Sequence, residues 1–239
     1  MSVETLLDVQ GVTKRFGGFQ ALGAINLRVR QGERFGLIGP NGSGKTTLIN
    51  CISGTLRADA GRIVFADQDI TTLPAHRRTR LGIARSFQIP KPFVSMTVLQ
   101  NLLIPVEYSG RGHHDGVAEA MAILELMGLA PKAHEPSAAL TQIEMRKLEL
   151  ARAMAARPRL LVSDEAMAGL SSAEVDDILA ILFELNQRGI TVIMIEHIMR
   201  AVMRFSERIA VLDAGEKIAE GGPDEILANP RVEKAYLGE

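Results

Sequence analysis

The segment Gly39–Thr47 constrains this chain more than any other stretch of its 239 residues. It reads GPNGSGKTT, follows the short apolar run Arg34–Ile38 and precedes an apolar helical pattern, Leu48–Ile52. Strand, glycine-rich turn and helix therefore come in the order of a phosphate-binding loop, G-x-x-x-x-G-K-[ST]. Glycines let successive backbone N–H groups face a phosphate, and the helix N-terminus adds its positive dipole end. The sequence therefore predicts a nucleoside triphosphate site.

Every residue of this loop is a candidate contact of the nucleotide. The Lys45 ammonium can reach the terminal phosphates, and the Thr46 hydroxyl can bind Mg²⁺. The candidate contacts are Gly39, Pro40, Asn41, Gly42, Ser43, Gly44, Lys45, Thr46 and Thr47.

Charge and cysteine content narrow the classes of function. A net charge of −1 and a pI near 6.5 leave no electrostatic footprint for nucleic acid, so no nucleic-acid partner is expected. The basic cluster His76–Arg80 is interpreted as a solvated helix face. Cys51 is the only cysteine, the N-terminus lacks a secretory pattern, and no apolar run approaches the roughly 18 residues of a membrane span. We expect a chain that is soluble when isolated and works in a reducing cytosol.

Residue periodicity predicts an α/β fold into which a helical part is inserted. Alternating and short apolar runs predict strands, of which the first two belong to an antiparallel sheet at the N-terminal end and the later ones to a mostly parallel sheet. The predicted strands are Leu6–Gln10, Ala24–Val29, Gly61–Phe65, Ile83–Gln88, Leu160–Ser163, Thr191–Ile195, Arg208–Leu212 and Glu216–Glu220.

Helical periodicity dominates from Thr97 to Arg157. Two helices further along the chain have capping-box starts, at Thr141–Glu144 and at Ser171–Glu174. We therefore expect one domain, in which residues 1–95 and 158–239 form the nucleotide-binding α/β core and residues 96–157 form a helical subdomain. The two prolines of residues 89–94 predict an exposed loop with apolar side chains between these parts.

Polar residues follow several of the predicted strands, where ligands bind in parallel α/β sheets. Asp164 is suited to bind Mg²⁺, and Glu165 can polarise a water molecule for in-line attack on the γ-phosphate. Gln88 can bond the metal or the water through its amide, and His197 can donate a hydrogen bond to the γ-phosphate. The predicted catalytic set is Lys45, Gln88, Glu165 and His197, and the predicted metal ligands are Thr46, Gln88 and Asp164.

The order of these motifs resembles that of the ATP-binding-cassette (ABC) ATPases over nearly the whole chain. The resemblance implies that Phe16 stacks on adenine in place of the family's usual tyrosine. It also implies that Gln88 opens the loop that couples the nucleotide state to a partner. Two cassettes are expected to close head to tail, with each ATP between one phosphate loop and the opposite signature segment.

Several segments are similar to the ATP-binding subunits of branched-chain amino-acid importers in particular. These segments are Lys14–Gly18, Ala84–Gln88, Met96–Leu99, Ala168–Leu170 and Ala235–Glu239. The resemblance implies an ATP- and Mg²⁺-dependent ATPase that lies on the cytoplasmic face of the membrane. Its implied partners are a second cassette, identical or related, transmembrane permease subunits and, indirectly, a solute-binding protein.

The chain departs from the family pattern in the signature segment. The family's LSGGQ is replaced by Leu140–Glu144, LTQIE, which has neither glycine. Thr141, Gln142 and Glu144 are still expected to face the ATP of the other cassette, since the helix N-terminus presents backbone N–H groups there. Ala166 stands in place of a proline, and Ser171 in place of an aspartate. These changes concern the hydrolysis rate and the closure of the dimer rather than the binding of ATP.

The leading hypothesis is therefore the ATP-hydrolysing subunit of an importer of branched-chain amino acids or a related small solute. The alternative is a regulatory nucleotide-binding cassette with weak hydrolysis, paired with a competent one, in which Thr141→Ala would change little. A soluble cassette ATPase acting on nucleic acid or ribosomes is disfavoured, because this chain has neither two fused cassettes nor a long coiled coil. A GTPase is disfavoured because no N-K-x-D motif occurs.

Overall fold

Two β-sheets and the helices around them form the chain in the computed structural model, which describes residues 4–87, 90–108 and 115–237. The smaller sheet has the strand order β2-β1-β4-β5 and is antiparallel. The larger sheet has the order β10-β9-β3-β8-β7-β6, and only β10 runs antiparallel to its neighbour. The strands are β1 Thr5–Phe16, β2 Phe19–Arg30, β3 Arg34–Ile38, β4 Ala60–Phe65, β5 Gln68–Asp69, β6 Ile83–Ser86, β7 Leu160–Asp164, β8 Thr191–Ile195, β9 Arg208–Asp213 and β10 Glu216–Gly221. These findings confirm the predicted fold class.

The helices begin and end at local sequence signals. Both predicted capping boxes form. Thr141 and Ser171 each accept a hydrogen bond from the backbone N–H three residues ahead, and the glutamate at that position accepts one from the backbone N–H of Thr141 or Ser171. The helices are α1 Lys45–Ser53, α2 Ala75–Leu81, α3 Val98–Tyr108, α4 Gly116–Leu126, α5 Gln142–Met154, α6 Ser172–Gln187, α7 Met199–Phe205, α8 Pro223–Leu227 and α9 Pro230–Leu237. Periodicity did not predict α7, which is short and apolar.

The larger sheet lies between two hydrophobic cores. Strands β7 and β8 are buried along their whole length, as expected for central parallel strands covered on both faces. Successive side chains of β8 alternate between the cores. Val192 and Met194 pack with the helical side, whereas Ile193 and Ile195 pack with the antiparallel sheet and α1. Because β3, β6, β7, β8 and β9 are parallel, their carboxyl ends lie along one edge of the sheet.

The interpretation of His76–Arg80 as a solvated face is wrong for one residue. Arg78 is buried, and its guanidinium donates to the carbonyl oxygens of Leu73, Cys51 and Ile52 at 2.6–2.9 Å. The Cys51 and Ile52 carbonyls lie in the last turn of α1, where helix carbonyls need donors, and the Leu73 carbonyl lies just before α2. Arg78 therefore fastens α2 to the end of the phosphate-loop helix, while its neighbours in the cluster are exposed.

Within the described residues, no helix combines the length and the hydropathy that a bilayer crossing requires.

Candidate active site

The phosphate loop joins β3 to α1 and depends on glycines at two of its positions. Gly39 has φ +148° and Gly44 has φ +102°, values that residues with a side chain rarely adopt. A Cβ atom at Gly39 would lie 2.0 Å from the Leu212 carbonyl oxygen, and one at Gly44 would lie 2.7 Å from that of Ala21. The loop is therefore pressed against β2 and the end of β9, and its backbone can approach a phosphate closely.

Polar groups inside the loop fit an anion. The Lys45 ammonium is buried and donates to the carbonyl oxygens of Gly39 and Pro40 at 2.7 and 3.0 Å. Burial lowers the pKa of Lys45, while the negative charges of Glu165 and Asp164 oppose that change. Among the described residues the buried Ser43 Oγ has no hydrogen-bond partner, and a phosphate oxygen would supply one.

Phe16, at the end of β1, lies beside this loop. Its ring is half exposed, at 50%, and the Lys14 ammonium lies 5.6 Å from the ring centroid. Phe16 lines a cavity of about 250 Å³ together with Phe19, the loop residues Asn41–Thr47 and Glu165. An exposed aromatic ring at one end and the phosphate loop at the other match the two ends of a nucleotide.

Asp164 ends β7 and is held by an arginine that the sequence analysis did not single out. The Arg85 guanidinium, on the neighbouring strand β6, donates to Asp164 Oδ2 from Nη2 at 2.5 Å and from Nε at 3.2 Å. The same guanidinium donates from Nη1 to Asn50 Oδ1 of α1 at 2.6 Å. The predicted metal carboxylate is thus fixed between the sheet and the phosphate-loop helix.

Glu165 and His197 form the next pair. Glu165 has φ +48°, and its backbone N–H donates to the Ile195 carbonyl oxygen at 2.8 Å. The Glu165 side chain is largely buried, and its Oε1 lies 2.5 Å from His197 Nε2. Two residues that are 32 positions apart in the sequence therefore meet beside the phosphate loop, because β7 and β8 are neighbours.

Glu196 lies behind this pair and is almost fully buried. Its Oε1 accepts a hydrogen bond from the Met167 N–H at 2.8 Å, so it holds the segment that follows Glu165. Burial raises the pKa of Glu196 to about 7, and the nearby charge of Glu165 adds to the increase. Backbone hydrogen bonds from Met167 and His197 and the charge of Arg146 act in the opposite direction.

We expect Glu196 to make the folding stability depend on pH. Its pKa is higher in the folded chain than the ordinary value of 4.5, so folding is penalised increasingly as the pH rises from about 4.5 to about 7, and constantly above that range. The difference corresponds to at most about 3 kcal/mol. Glu196→Gln should raise the Tm relative to the parent chain at pH 8 by about 5 °C and by much less at pH 5.

Thermal unfolding of both proteins across this pH range checks the expectation. Glu184→Gln, which removes a partly exposed carboxylate paired with Arg188, serves as the control and should give a Tm difference independent of pH. A Glu196→Gln difference that does not grow with pH would contradict the assignment.

The signature segment begins α5 and is held by its own cap. The Thr141 N–H and Oγ1 both donate to Glu144 Oε2, at 2.9 and 3.0 Å. The Lys132 ammonium pairs with Glu144 at 2.8 Å and lowers its pKa, mainly by its hydrogen bond. An ionised carboxylate only accepts hydrogen bonds. In this structure Glu144 therefore holds Thr141 and Lys132 in place. Gln142 is exposed at the helix start, one residue after Thr141.

Helix α5 lies against the segment after Glu165. Arg146 Nη2 donates to the Ala168 carbonyl oxygen at 3.2 Å, and a Cβ atom at Gly169 would lie 2.9 Å from Gln142 Nε2.

At the other end of the chain, Tyr236 of α9 is hydrogen-bonded to the Gly39 backbone, and burial raises the pKa of this tyrosine.

The structure thus brings together most of the predicted site. Lys45, Asp164, Glu165 and His197 converge at the carboxyl ends of the strands, whereas Gln88 lies outside the described residues. Sequence reasoning missed Arg85, Asn50 and Glu196. Only Arg85 had a signal in the sequence, because a basic residue on one predicted strand can pair with the acidic residue at the end of a neighbouring strand.

The donor set also fits a magnesium ion. Among the described residues no group of three His, Cys, Asp or Glu side chains could hold a metal ion. The predicted ligands that the structure describes are the buried carboxylate of Asp164 and the exposed hydroxyl of Thr46. Mg²⁺ is commonly bound by one or two carboxylates together with substrate phosphates. Such a site is complete only with a nucleotide.

Two family profiles match the chain. The profile described as ABC transporter matches residues 22–168, and the one described as branched-chain amino acid ATP-binding cassette transporter matches residues 216–239. Together they cover the phosphate loop, Asp164, Glu165 and the C-terminal helices.

Known proteins are similar over the full length. The "High-affinity branched-chain amino acid transport ATP-binding protein BraF" of Pseudomonas aeruginosa is 38% identical and covers 98% of both chains. A crystal structure titled as the ADP conformation of MJ1267, an ATP-binding cassette of an ABC transporter, superposes with a TM-score of 0.91 at 35% identity, covering 98% of this chain and 99% of the other. A dimeric post-hydrolysis structure of the cassette MJ0796 with ADP and Pi superposes with a TM-score of 0.83 at 26% identity, covering 91% and 99%.

Proposed function

This chain belongs to the ABC transporter family of ATPases, and we propose from that premise that it drives an importer of branched-chain amino acids or a related small solute. The observation that carries the proposal is the Glu165–His197 pair, held at 2.5 Å beside a complete phosphate loop. The names of the full-length relatives supply the solute class.

The chemistry is in-line attack of water on the γ-phosphate. Glu165 accepts the proton of the attacking water, and the His197 N–H that faces Glu165 in this structure donates instead to the γ-phosphate once ATP is bound. Lys45 and the loop N–H groups hold the phosphates, and Phe16 stacks on the base. Asp164 and Thr46 would hold a Mg²⁺ ion, which would supply neutralisation of charge on the phosphate oxygens. The proposed role of Gln88, bonding the metal or the water, stays a prediction.

A second cassette completes each site. The exposed start of α5, with Thr141 and Gln142, is proposed to face the ATP of the other copy through the backbone N–H groups of the helix N-terminus. The capping box keeps that start rigid. The dimeric MJ0796 structure with ADP and Pi supports an arrangement of this kind.

We further propose that a permease segment docks in the lateral groove, a cavity of about 310 Å³ on the side of the molecule. Its apolar walls include Phe87, Phe93, Ile104 and Pro105, of which the two aromatic rings are 46% and 42% exposed. An apolar surface of this kind favours a protein partner. The groove lies between the proposed core, 1–95 and 158–239, and the proposed helical subdomain, 96–157. We propose that the protein works at the cytoplasmic face of the membrane and that a solute-binding protein acts on the far side.

Uptake measurements test the proposed function. Deleting the gene should abolish the uptake of labelled leucine, isoleucine or valine, or of a related small solute. The wild-type chain should restore uptake, and the Glu165→Gln variant should not, because transport requires repeated hydrolysis. Unchanged uptake of all these solutes in the deletion strain would overturn the proposal.

A further inference from the structure

Arg85 lies between the nucleotide site and the lateral groove. Its guanidinium and the carboxylate of Asp164 form a buried ion pair, with 11% and 8% of the two side chains exposed. Both contacts to Asp164 fall on Oδ2, so Arg85 does not use Oδ1. An arginine pair of this kind fixes the orientation of a carboxylate.

The third contact of Arg85 reaches the other element that carries a predicted metal ligand. Asn50, whose Oδ1 accepts from Arg85 Nη1 at 2.6 Å, lies four residues after Thr46 on α1. Residues four apart lie on the same face of a helix. One planar guanidinium therefore ties the strand end with the Asp164 carboxylate to the helix with the Thr46 hydroxyl. An ammonium group, which is a point charge on a flexible stem, cannot reproduce this fork.

Arg85 also lines the lateral groove. The guanidinium carbon lies 5.3 Å from the centroid of the Phe87 ring, and both residues line the lateral groove. Arg85 and Phe87 are two residues apart in an extended segment, so their side chains point to the same side. A partner that covers Phe87 would also exclude water from the Arg85–Asp164 pair, and the pair becomes stronger as the local dielectric falls.

We propose that Arg85 is a positioning residue that transmits occupancy of the lateral groove to the magnesium-binding carboxylate, Asp164. The proposal rests on the proposed function, because it takes the occupant of the groove to be the permease. Docking stabilises the contacts that Arg85 already makes with Phe87, Asp164 and Asn50. Arg85 then keeps the two predicted metal ligands in the relative position that Mg-ATP requires.

Arg85→Lys tests the positioning role, because it keeps the positive charge and removes the fork. Titration of Mg²⁺ against the binding of a fluorescent ATP analogue should show half-saturation at about tenfold more Mg²⁺, the effect expected when a partner that orients a metal ligand is lost. Binding of the analogue without Mg²⁺ should be unchanged. Asn50→Ala removes the hydrogen bond between Arg85 and α1 and should shift the Mg²⁺ titration in the same direction.

Arg152→Lys is the matched control. Arg152 also lines the groove and its guanidinium lies 5.2 Å from the Phe93 ring centroid, but it pairs with Glu149 and its contacts lie away from Asp164. This variant should bind Mg²⁺ like the parent chain. If Arg85→Lys and Asn50→Ala both bind Mg²⁺ like the parent chain, the positioning role is overturned.

The link to the groove is tested in the assembled transporter at saturating Mg²⁺. The parent cassette should hydrolyse ATP faster with the permease than alone, and Arg85→Lys should lose most of that stimulation. Full stimulation of the variant would overturn the link while the positioning role stands. A parent cassette that the permease does not stimulate would instead count against the proposed docking, and the Mg²⁺ titration would still decide the role of Arg85.

Discussion

Glu165→Gln should lower the rate of ATP hydrolysis by a factor of about 10² to 10⁴, the usual contribution of a positioned general base. The amide has the shape of the carboxylate, so the strained backbone at φ +48° and its hydrogen bond to Ile195 are retained. It cannot accept the proton of the attacking water. ATP binding should stay within a few fold of the parent value, because the phosphate loop is untouched.

The same variant should also reveal the second cassette. With hydrolysis blocked, Mg-ATP should hold two copies, or this copy and a related one, together long enough for detection by size-exclusion chromatography with light scattering. Glu184→Gln, the surface control, should keep the parent rate. A Glu165→Gln rate within tenfold of the parent would assign the base to another group, and no ATP-dependent dimer would count against the composite site.

Lys45→Met should abolish nucleotide binding at ordinary concentrations. The Lys45 ammonium is buried and bound to the Gly39 and Pro40 carbonyl oxygens, so it is already oriented towards the loop. Removing this oriented charged donor should cost a factor of about 10² to 10³, the usual effect of losing one preorganised donor. Methionine keeps the apolar stem packed, which limits the loss of folding stability.

Equilibrium binding of a fluorescent ATP analogue measures this effect, with Lys217→Met as the control. Lys217 is on β10 and pairs with Glu220, so its loss should leave the affinity unchanged. Hydrolysis by Lys45→Met should fall below detection. Parent-like affinity in a folded Lys45→Met protein would show that the backbone N–H groups alone hold the phosphates.

Local patterns were sufficient for the elements and for part of the site. The phosphate loop, β8 at Thr191–Ile195 and both capping boxes occur where periodicity and side-chain chemistry place them. These features depend on residues within a few positions of one another. The strand-end rule also located Asp164, Glu165 and His197, because the carboxyl ends of parallel strands share one edge of a sheet.

Contacts between distant segments could not be derived in the same way. Arg78 follows other basic residues and resembles a surface residue, yet the end of α1 needs its donors. Glu196 precedes a predicted catalytic histidine, but only the path of the segment after Glu165 places the Met167 N–H on its carboxylate. In both cases the partner is more than twenty residues away.

The sequence by itself determined that this chain has a phosphate loop, a carboxylate and a histidine at strand ends for which catalytic roles are proposed, and a helix start without the family's glycines. These properties follow from local backbone and side-chain preferences. The tertiary structure decided which groups meet: the placement of β7 between β6 and β8 brings Arg85 onto Asp164, 79 residues away, and Glu165 onto His197. Strand order arises from the packing of the whole chain, and it is this order that places Arg85 between the groove and the nucleotide.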